Sequence, residues 1–344
     1  MNADQTTRRF TLQSASQGIR VEIGTFGARL LSLWVPDRHG MMEDVLLGYE
    51  RLSDYRQDNA HFGAIAGPWA NRIAAGSFAL DEQQIQLECN EDGINHLHGG
   101  SQGTGMRDWS LVSYDPDAPS PSVRLACRLD KDSTGYPADI QIELEYRLER
   151  DFELHLRYWA KVSQRCPLNL TSHPYFSLTP TLPGLDQHHF CIHAAQVLIP
   201  DEHSIPVRTV EVAGTALDLQ AAVTIHERLE QLPGELELMG GFDHCYLPEG
   251  EGYRVMAEVQ SDNGRRLRFF SDQPALQFYT GNGLDHAHGK GGRHYFPHDG
   301  FCLEAQCRPN QVNTELAEAV IYSPRRSYQQ HSCYDFTPAA PNGR

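Results

Sequence analysis

The sequence of 344 residues contains no run of lysines or arginines and no apolar segment long enough to span a bilayer. Acidic residues outnumber basic ones by 45 to 29, so the formal net charge is -16. Nucleic acids and anionic membranes are bound by basic patches, which this composition does not provide. We therefore expect neither of them as a partner.

Paired cysteine motifs are also missing, because the 8 cysteines are scattered and none forms a Cys-x-x-Cys pair. This spacing argues against a zinc ribbon and against a dense disulfide framework. Residues 1–9 are polar and lack the apolar core of a signal peptide. A reduced protein of the cytoplasm is the simplest interpretation.

The sequence does contain repeated alternation of apolar and polar residues, which is typical of strands with one buried face. The clearest case is 140–160, where two alternating arms flank a turn at 150–151 and predict an antiparallel hairpin. Similar alternation occurs at 78–87, 123–129 and 253–269. Helical periodicity is confined to short pieces, of which 223–232 is the best.

The sequence gives no sign of a boundary between domains. No repeat and no Gly/Ser-rich or Pro-rich linker divides it, so we predict one domain over 1–344, with 1–8 and 338–344 as peripheral tails. Hydrophobic residues make up 40% of the sequence, which is ample for a large core. Many strands and few helices predict an all-β sandwich or barrel.

The stretch 168–178 combines a strand-like start with a histidine directly before a proline. Pro174 biases His173 towards extended backbone geometry, so the imidazole is held on a stiff segment. A histidine titrates near neutral pH, and the aromatic pair Tyr175 and Phe176 follows it. His173 is therefore a candidate proton donor or acceptor, although a histidine hydrogen-bonded at a strand end is the commoner explanation of such a stretch.

Further polar side chains stand out against Gly-rich or apolar surroundings. Asn71 and Arg72 follow a run of small residues, and a Gly-rich turn ends at Asp243. Gln277 lies on an aromatic strand, and Glu304 lies between apolar neighbours, where a carboxylate is costly to bury unless it is paired or used. Taken singly, a surface arginine, a turn aspartate, an edge-strand amide and a solvated glutamate remain the simpler explanations.

Two histidines, His96 and His98, are two residues apart, and we expect them to point in different directions. At most one of them faces a given pocket. A shared metal site is not expected, because no third or fourth ligand is identifiable.

Together these stretches resemble the aldose 1-epimerase, or galactose mutarotase, family. The resembling motifs are Ala70-Asn71-Arg72-Ile73, Leu97-His98-Gly99-Gly100, Leu170-Thr171-Ser172-His173-Pro174-Tyr175-Phe176, Phe242-Asp243-His244, Gln277-Phe278-Tyr279-Thr280-Gly281-Asn282 and Leu303-Glu304. Each motif is weak alone, but the six in this order are specific. The resemblance implies a large antiparallel β-sandwich in one domain, the galactose mutarotase-like supersandwich, with few short helices.

The resemblance also implies an activity, namely interconversion of the α and β anomers of a free aldose by ring opening and reclosure. Glu304 would be the general base on the anomeric hydroxyl, and His173 the general acid at the ring oxygen. The residues that resemble the family's sugar ligands are Asn71, Arg72, His98, Asp243 and Gln277. A monosaccharide is the implied partner of a monomer or homodimer, with no metal and no organic cofactor.

Some positions depart from the family pattern, and two other functions stay open. The departures are Ser172, Ser177, Val207 and Cys245, which put the preference for galactose in question. One alternative is a glycoside hydrolase with Asp243 and Glu304 as paired carboxylates, and the other is a non-catalytic carbohydrate-binding protein. For any sugar site here, Tyr175 or Trp69 is expected to pack on an apolar sugar face.

Overall fold

The structure is a computed structural model that describes residues 7–16, 18–229, 231, 239–286 and 288–338. Of the two predicted tails, only residues 7, 8 and 338 fall within this part of the chain. Among the described residues, no helix is both long and apolar enough to cross a membrane.

Strands dominate the described residues. In chain order they are β1 (Arg9–Gln13), β2 (Arg20–Gly24), β3 (Leu30–Pro36), β4 (Met42–Asp44), β5 (Ile65–Ala66), β6 (Arg72–Ile73), β7 (Ser77–Leu80), β8 (Gln83–Gln86), β9 (His96–Leu97), β10 (Ser110–Asp115), β11 (Ser122–Leu129), β12 (Ile140–Glu149), β13 (Glu153–Val162), β14 (Cys166–Pro167), β15 (Thr171–Ser172), β16 (His188–Ile192), β17 (Gln196–Pro200), β18 (Pro206–Glu211), β19 (Val223–Thr224), β20 (Asp243–Leu247), β21 (Arg254–Ser261), β22 (Arg266–Ser271), β23 (Ala275–Tyr279), β24 (Cys302–Gln306), β25 (Ile321–Tyr322) and β26 (Tyr328–Asp335).

Helical structure in the same ranges is limited to short pieces. The α-helices are α1 (Lys131–Thr134) and α2 (Ile225–Leu229), and the 3-10 turns are Asp54–Gln57, Ala74–Gly76, Thr104–Met106, Lys290–Gly292, Gln311–Asn313 and Ala317–Val320. The predicted helix at 223–232 is partly wrong, because Val223 and Thr224 pair with β16 as a strand before α2 begins. Residues 230 and 232 lie outside the described part of the chain.

Three larger sheets and several two-stranded ribbons build the fold, and all of their strand pairs are antiparallel. One sheet has nine strands in the order β10-β11-β12-β13-β26-β22-β21-β16-β19. A five-stranded sheet has the order β18-β17-β20-β23-β24, and a four-stranded sheet has the order β1-β2-β3-β4. The predicted antiparallel β-sandwich is confirmed.

The hairpin predicted at 140–160 is confirmed as β12 and β13, which pair from Ile140 with Val162 to Glu149 with Glu153. Along β12 the alternating apolar residues are buried and the residues between them are mostly exposed or half-buried. The alternation at 78–87 corresponds to a second hairpin, β7 and β8, whose strands are joined through a turn at Asp81 and Glu82.

Aromatic side chains join the large sheets into one core. Phe190 of the nine-stranded sheet packs on Phe278 of the five-stranded sheet with ring centroids 5.2 Å apart, and on Phe301 at 5.0 Å. A single cluster of buried apolar residues runs from Phe10 to Phe336. This core fixes the five-stranded sheet, whose strands β20, β23 and β24 carry the polar residues singled out above.

Candidate active site

A cavity of about 230 Å³ lies at one face of the five-stranded sheet. It is lined by Asn59, Ala60, His61, Asn71, Arg72, Leu97, His98, His173, Tyr175, Asp243, Tyr279, Gly283, Leu284, His286 and Glu304. These include all the residues predicted for the site except Gln277. Side chains that are far apart in the chain therefore converge on one space.

The backbone at His173 is fixed from two directions. Its N–H donates to the carbonyl of Ala64 at 2.9 Å, and its carbonyl accepts from Gly63 at 2.9 Å. Three residues later, Phe176 and Phe301 exchange two backbone hydrogen bonds, of 2.8 and 2.9 Å. Because Phe301 directly precedes β24, this bridge brings His173 against the start of that strand.

Glu304, Gln277 and Asp243 come from three adjacent strands of the five-stranded sheet. Gln277 of β23 is directly opposite Glu304 of β24, and Asp243 of β20 is directly opposite Tyr279 of β23. Residues opposite each other in a sheet share a face, as do residues two apart in one strand. The register therefore aims Glu304, Gln277 and Asp243 to the same side.

The third group of site residues is held by the ribbon of β6 and β9, in which Arg72 pairs with Leu97. The backbone N–H of Asn71 donates to Nδ1 of His98 at 3.2 Å, and the Asn71 side chain accepts from the Arg72 N–H at 2.8 Å. Asn71 and His98 have positive φ angles of 65° and 52°. Such backbone strain in non-glycine residues is concentrated at functional sites.

The central contact of the cavity joins His173 and Glu304, whose Nε2 and Oε1 atoms lie 3.5 Å apart. Their side chains are only 7% and 3% exposed. Burial, together with the neighbouring His61, lowers the pKa of His173 to about 3. Burial and the nearby Asp243 raise the pKa of Glu304 well above its ordinary value. These shifts favour a neutral imidazole beside a protonated carboxyl group, and the pair holds one exchangeable proton.

The Arg72 guanidinium is oriented by two carboxylates. It donates to Glu91 through Nε at 3.0 and 2.9 Å and through Nη2 at 2.7 Å, and its Nη1 lies 3.8 Å from Asp243. Burial disfavours its charged form, but Asp243 and Glu91 outweigh that effect and raise the pKa of Arg72. Arg72 thus presents a fixed positive charge to the cavity.

Gln277 contacts the cavity residue Asp243 and does not itself line the cavity. Its amide nitrogen donates to Asp243 at 2.6 Å, while its own carbonyl oxygen is buried and has no hydrogen-bond partner among the described residues. A second unpartnered acceptor is Oε2 of Glu304. Buried acceptors without partners are costly in a folded protein, and hydroxyl-rich ligands satisfy such atoms.

Ligand atoms of His98, His173 and Glu304 all lie within 4.8 Å of one another, a grouping that raises the question of a metal ion. His98 does not fit that role. Its Nδ1 accepts the Asn71 N–H, so the proton of its neutral ring is on Nε2. Burial holds the pKa of His98 well below its ordinary value, so the ring stays neutral and presents an N–H donor, not a metal lone pair.

Some residues that line the cavity, and Cys302 directly behind His173, escape reasoning from the sequence. His61 has a φ of 58° and packs on His98 with ring centroids 4.8 Å apart, and Cys302 places its sulfur 3.6 Å from Nδ1 of His173. Tyr279 lies within a recognised motif but was not singled out. For Cys302, alternation along β24 was the available signal, because it predicts that residues 302 and 304 share a face.

The aromatic wall is formed by one of the two expected residues. Tyr175 lines the cavity, whereas Trp69 is fully buried and donates its indole N–H to the Arg72 carbonyl at 3.2 Å. Trp69 supports the backbone of the site. His96 and His98 do face different ways, because His98 lines the cavity while His96 contacts Tyr136 and the Glu88 carbonyl outside it. Residues two apart in a regular strand would share a face, but β9 ends at Leu97 and the positive φ of 52° turns His98 away.

An antiparallel β-sandwich with a buried imidazole–carboxyl pair and hydroxyl-binding groups defines a carbohydrate-active enzyme. The profile of the aldose 1-epimerase family matches residues 8–335. The galactose mutarotase of Bos taurus is 36% identical over 339 residues, covering 97% of this chain and 95% of the relative. The aldose 1-epimerase of Escherichia coli K12 is 32% identical over 313 residues, covering 90% of this chain and 88% of the relative.

Solved structures agree with these sequence relatives. The galactose 1-epimerase from Lactobacillus acidophilus NCFM superposes with a TM-score of 0.87 at 25% identity, covering 99% of this chain and 97% of that one. The chain belongs to the aldose 1-epimerase family. It is therefore an isomerase that interconverts the α and β anomers of a free aldose, as the motifs predict.

Proposed function

We propose that Glu304 and His173 carry out this interconversion as a proton-transfer pair at the C1–O5 bond of a galactose-like aldose. The observation that carries the proposal is the 3.5 Å approach of Nε2 to Oε1 inside a buried cavity. The two oxygens that exchange protons, O1 and O5, are both bonded to C1. The base and the acid for ring opening must therefore lie close together, as these two groups do.

Ring opening uses the pair with its shared proton on His173. The Glu304 carboxylate removes the proton from the O1 hydroxyl while the imidazolium donates from Nε2 to O5. The C1–O5 bond breaks and O1 becomes the carbonyl oxygen of the open-chain aldehyde. Each transfer is expected to contribute roughly 10²- to 10⁴-fold to the rate.

Ring closure uses the other distribution of the same proton. After rotation about C1–C2, the O5 hydroxyl attacks the opposite face of the carbonyl. Neutral His173 takes the O5 proton through Nε2, and the Glu304 carboxyl returns its proton to O1. The lowered pKa of His173 and the raised pKa of Glu304 favour this second state, so ring opening requires the pair's one exchangeable proton to move from Glu304 to His173.

Positive charge and N–H donors stabilise oxygen as negative charge develops on it. Arg72 contributes a fixed guanidinium, and His98 contributes Nε2–H because Asn71 occupies its Nδ1. Asp243, held by Gln277, is proposed to accept from a sugar hydroxyl. Tyr175 is proposed to pack on the apolar face of the ring.

The proposed preference for a galactose-like aldose rests on the names of the relatives and on the position of the departures from the family pattern. None of Ser172, Ser177, Val207 and Cys245 lines the cavity as it is defined by the described residues. Val207 is 61% exposed and the other three are buried. Changes at these positions leave the sugar contacts in place.

Polarimetry on freshly dissolved α-anomers tests the proposal. A panel of galactose, glucose, xylose, arabinose and fucose should show the largest acceleration of mutarotation with galactose. Unchanged rates across the panel with a folded protein would contradict the activity. A higher rate with another sugar would contradict only the preference.

The hydrolase alternative is not favoured, because the relatives are epimerases and Asp243 is engaged by Gln277 and Arg72. Release of reducing sugar from a glycoside would support it.

We further propose one domain, on the strength of the continuous core, and a cytoplasmic location, on the strength of eight cysteines that are all free. Sedimentation analysis tests the expectation of a monomer or homodimer.

A further inference from the structure

The catalytic imidazole is held at both nitrogens by a single strand. Glu304 approaches Nε2 of His173 at 3.5 Å, and the sulfur of Cys302 lies 3.6 Å from Nδ1. Cys302 and Glu304 are two residues apart on β24 and therefore share a face. Cys302 is fully buried and lies directly opposite Tyr279, a residue of the cavity wall.

We propose that Cys302 is a positioning residue that accepts the Nδ1–H of His173 and so fixes the tautomer that leaves Nε2 free for the sugar. This inference rests on the proposed roles of His173 and Glu304. A neutral imidazole has one N–H and one lone pair, and the partner of one nitrogen decides which atom carries the proton. With the proton on Nδ1, the lone pair is on Nε2, where ring closure requires it.

The chemistry of a thiol suits this position because it holds the ring without adding charge. Burial, with the nearby Glu304 and Asp243, raises the pKa of Cys302 well above its ordinary value, so the thiol stays neutral. A carboxylate at the same place would stabilise the imidazolium and raise the pKa of His173. A neutral sulfur acceptor leaves the imidazole able to give up its proton and take it back.

His98, another histidine of the cavity, shows the opposite arrangement. At His98 the partner of Nδ1 is a donor, the Asn71 N–H at 3.2 Å, which places the ring proton on Nε2. The pocket thus presents a donating Nε2–H from His98 and an accepting Nε2 from His173. The difference follows from the hydrogen-bonding character of one neighbour in each case.

The rival tautomer has the His173 proton on Nε2 and the Cys302 S–H donating to Nδ1. It gives the same distance between heavy atoms, so a measurement of the proton position is needed. Histidine labelled with nitrogen-15 distinguishes the two states through long-range correlations between ring protons and nitrogens. Comparison with the spectrum of His173→Asn assigns the signals.

The test uses three variants of the full chain. Cys302→Ala removes the acceptor, Cys302→Ser supplies a hydroxyl acceptor, and Cys166→Ala makes the same change at a buried cysteine whose sulfur contacts the Pro167 carbonyl, outside the cavity. We expect the wild type to hold His173 with the proton on Nδ1. In Cys302→Ala this tautomer should lose population, and kcat should fall roughly tenfold to a hundredfold, as when a metal-bound histidine loses its orienting partner.

The expected signature is a split between kinetic constants. KM should change little in Cys302→Ala because the sugar contacts remain, Cys302→Ser should restore part of kcat, and Cys166→Ala should behave as the wild type. A wild-type His173 with its proton on Nε2, or an unchanged tautomer and kcat in Cys302→Ala, would overturn the proposal. Thermal melting identifies a variant that has lost only stability, and failure of the proposed function would instead appear as a wild-type protein without activity.

Discussion

Two places in this molecule put imidazoles beside a carboxylate and a cysteine. The pocket cluster consists of His98, His173, Cys302 and Glu304, and the outer cluster consists of His155, His331, Cys333 and Glu153. The outer cluster lies on the face of the nine-stranded sheet opposite the core, where His155 and His331 approach at 2.9 Å. Cys333 lies 3.7 Å from His155, and Glu153 lies 3.2 Å from it. The types of side chain are therefore the same, and the cysteine and glutamate distances are similar. Cys333 and Glu153 both contact Nε2 of His155, however, whereas Cys302 and Glu304 contact opposite nitrogens of His173.

The clusters differ in how the carboxylates are partnered. Glu153 accepts from Arg150 at 3.3 Å, and the adjacent Glu149 accepts from Arg157 at 2.7 Å. Burial opposes ionisation of Glu149, but the hydrogen bond from Arg157 and the charges of the surrounding basic side chains together outweigh it and lower the pKa of that carboxylate. Glu304 has an unpartnered oxygen and a raised pKa. We therefore attribute the proposed proton transfer to an acceptor left without a permanent partner, and not to the residue types alone.

The largest expected effect on the rate is the difference between substitution of Glu304 and substitution of Glu153. Glu304→Gln should lower kcat/KM for an aldose by roughly 10³- to 10⁴-fold, because it removes the base and the proton that the pair shares. Glu153→Gln should leave the rate unchanged. Initial rates of mutarotation measure both, and equal losses in the two variants would remove the distinction between the clusters.

The second comparison concerns the histidines. His173→Asn should lower kcat by roughly 10²- to 10³-fold, since asparagine keeps a polar group but transfers no proton at O5. The matched change in the outer cluster, His155→Asn, should retain the wild-type kcat and cost only stability. Full activity of His173→Asn would show that another group delivers the proton.

A smaller effect is expected at Arg72. Arg72→Lys keeps the charge but loses the fork that binds Glu91, so kcat/KM should fall roughly tenfold. Arg157→Lys alters the arginine–glutamate contact with Glu149 beside the outer cluster and should not change catalysis. Steady-state kinetics measure both variants. A wild-type kcat/KM for Arg72→Lys would mean that a positive charge at this position is sufficient for catalysis without the arginine fork.

The pH dependence of kcat/KM tests the protonation states of His173 and Glu304 in the pocket cluster. The active pair holds one proton, so kcat/KM should fall on the acid side only near the lowered pKa of His173, about 3, where a second proton binds. On the alkaline side it should fall at the raised pKa of Glu304, where the shared proton is lost. A profile with an acid limb at the ordinary histidine value of 6.5 would contradict this assignment.

Reasoning from the sequence succeeded where the signal is local. Period-two alternation located β12 and β13 and their turn, because a strand with one buried face must alternate. It was less successful at 223–232, where a short apolar pattern was compatible with a strand followed by one helical turn. The histidine before Pro174 was also visible locally, because proline restricts its neighbour.

The site itself is only partly visible in the sequence. Glu304 and His173 meet because Phe176 and Phe301 pair, and such a contact between distant segments leaves no periodic trace. The roles of Glu304 and Arg72 therefore entered through resemblance to a family. Cys302 and His61 were missed because their contacts are with imidazoles from distant segments of the chain.

Exchange NMR of an aldose at anomeric equilibrium tests the central claim most directly, because it observes both directions of the reaction without net change. With wild-type protein, the C1 protons of α- and β-galactose should show exchange cross-peaks, and His173→Asn and Glu304→Gln should abolish them while Glu153→Gln retains them. Exchange at the uncatalysed rate with folded wild-type protein, or undiminished exchange in both pocket variants, would contradict the account.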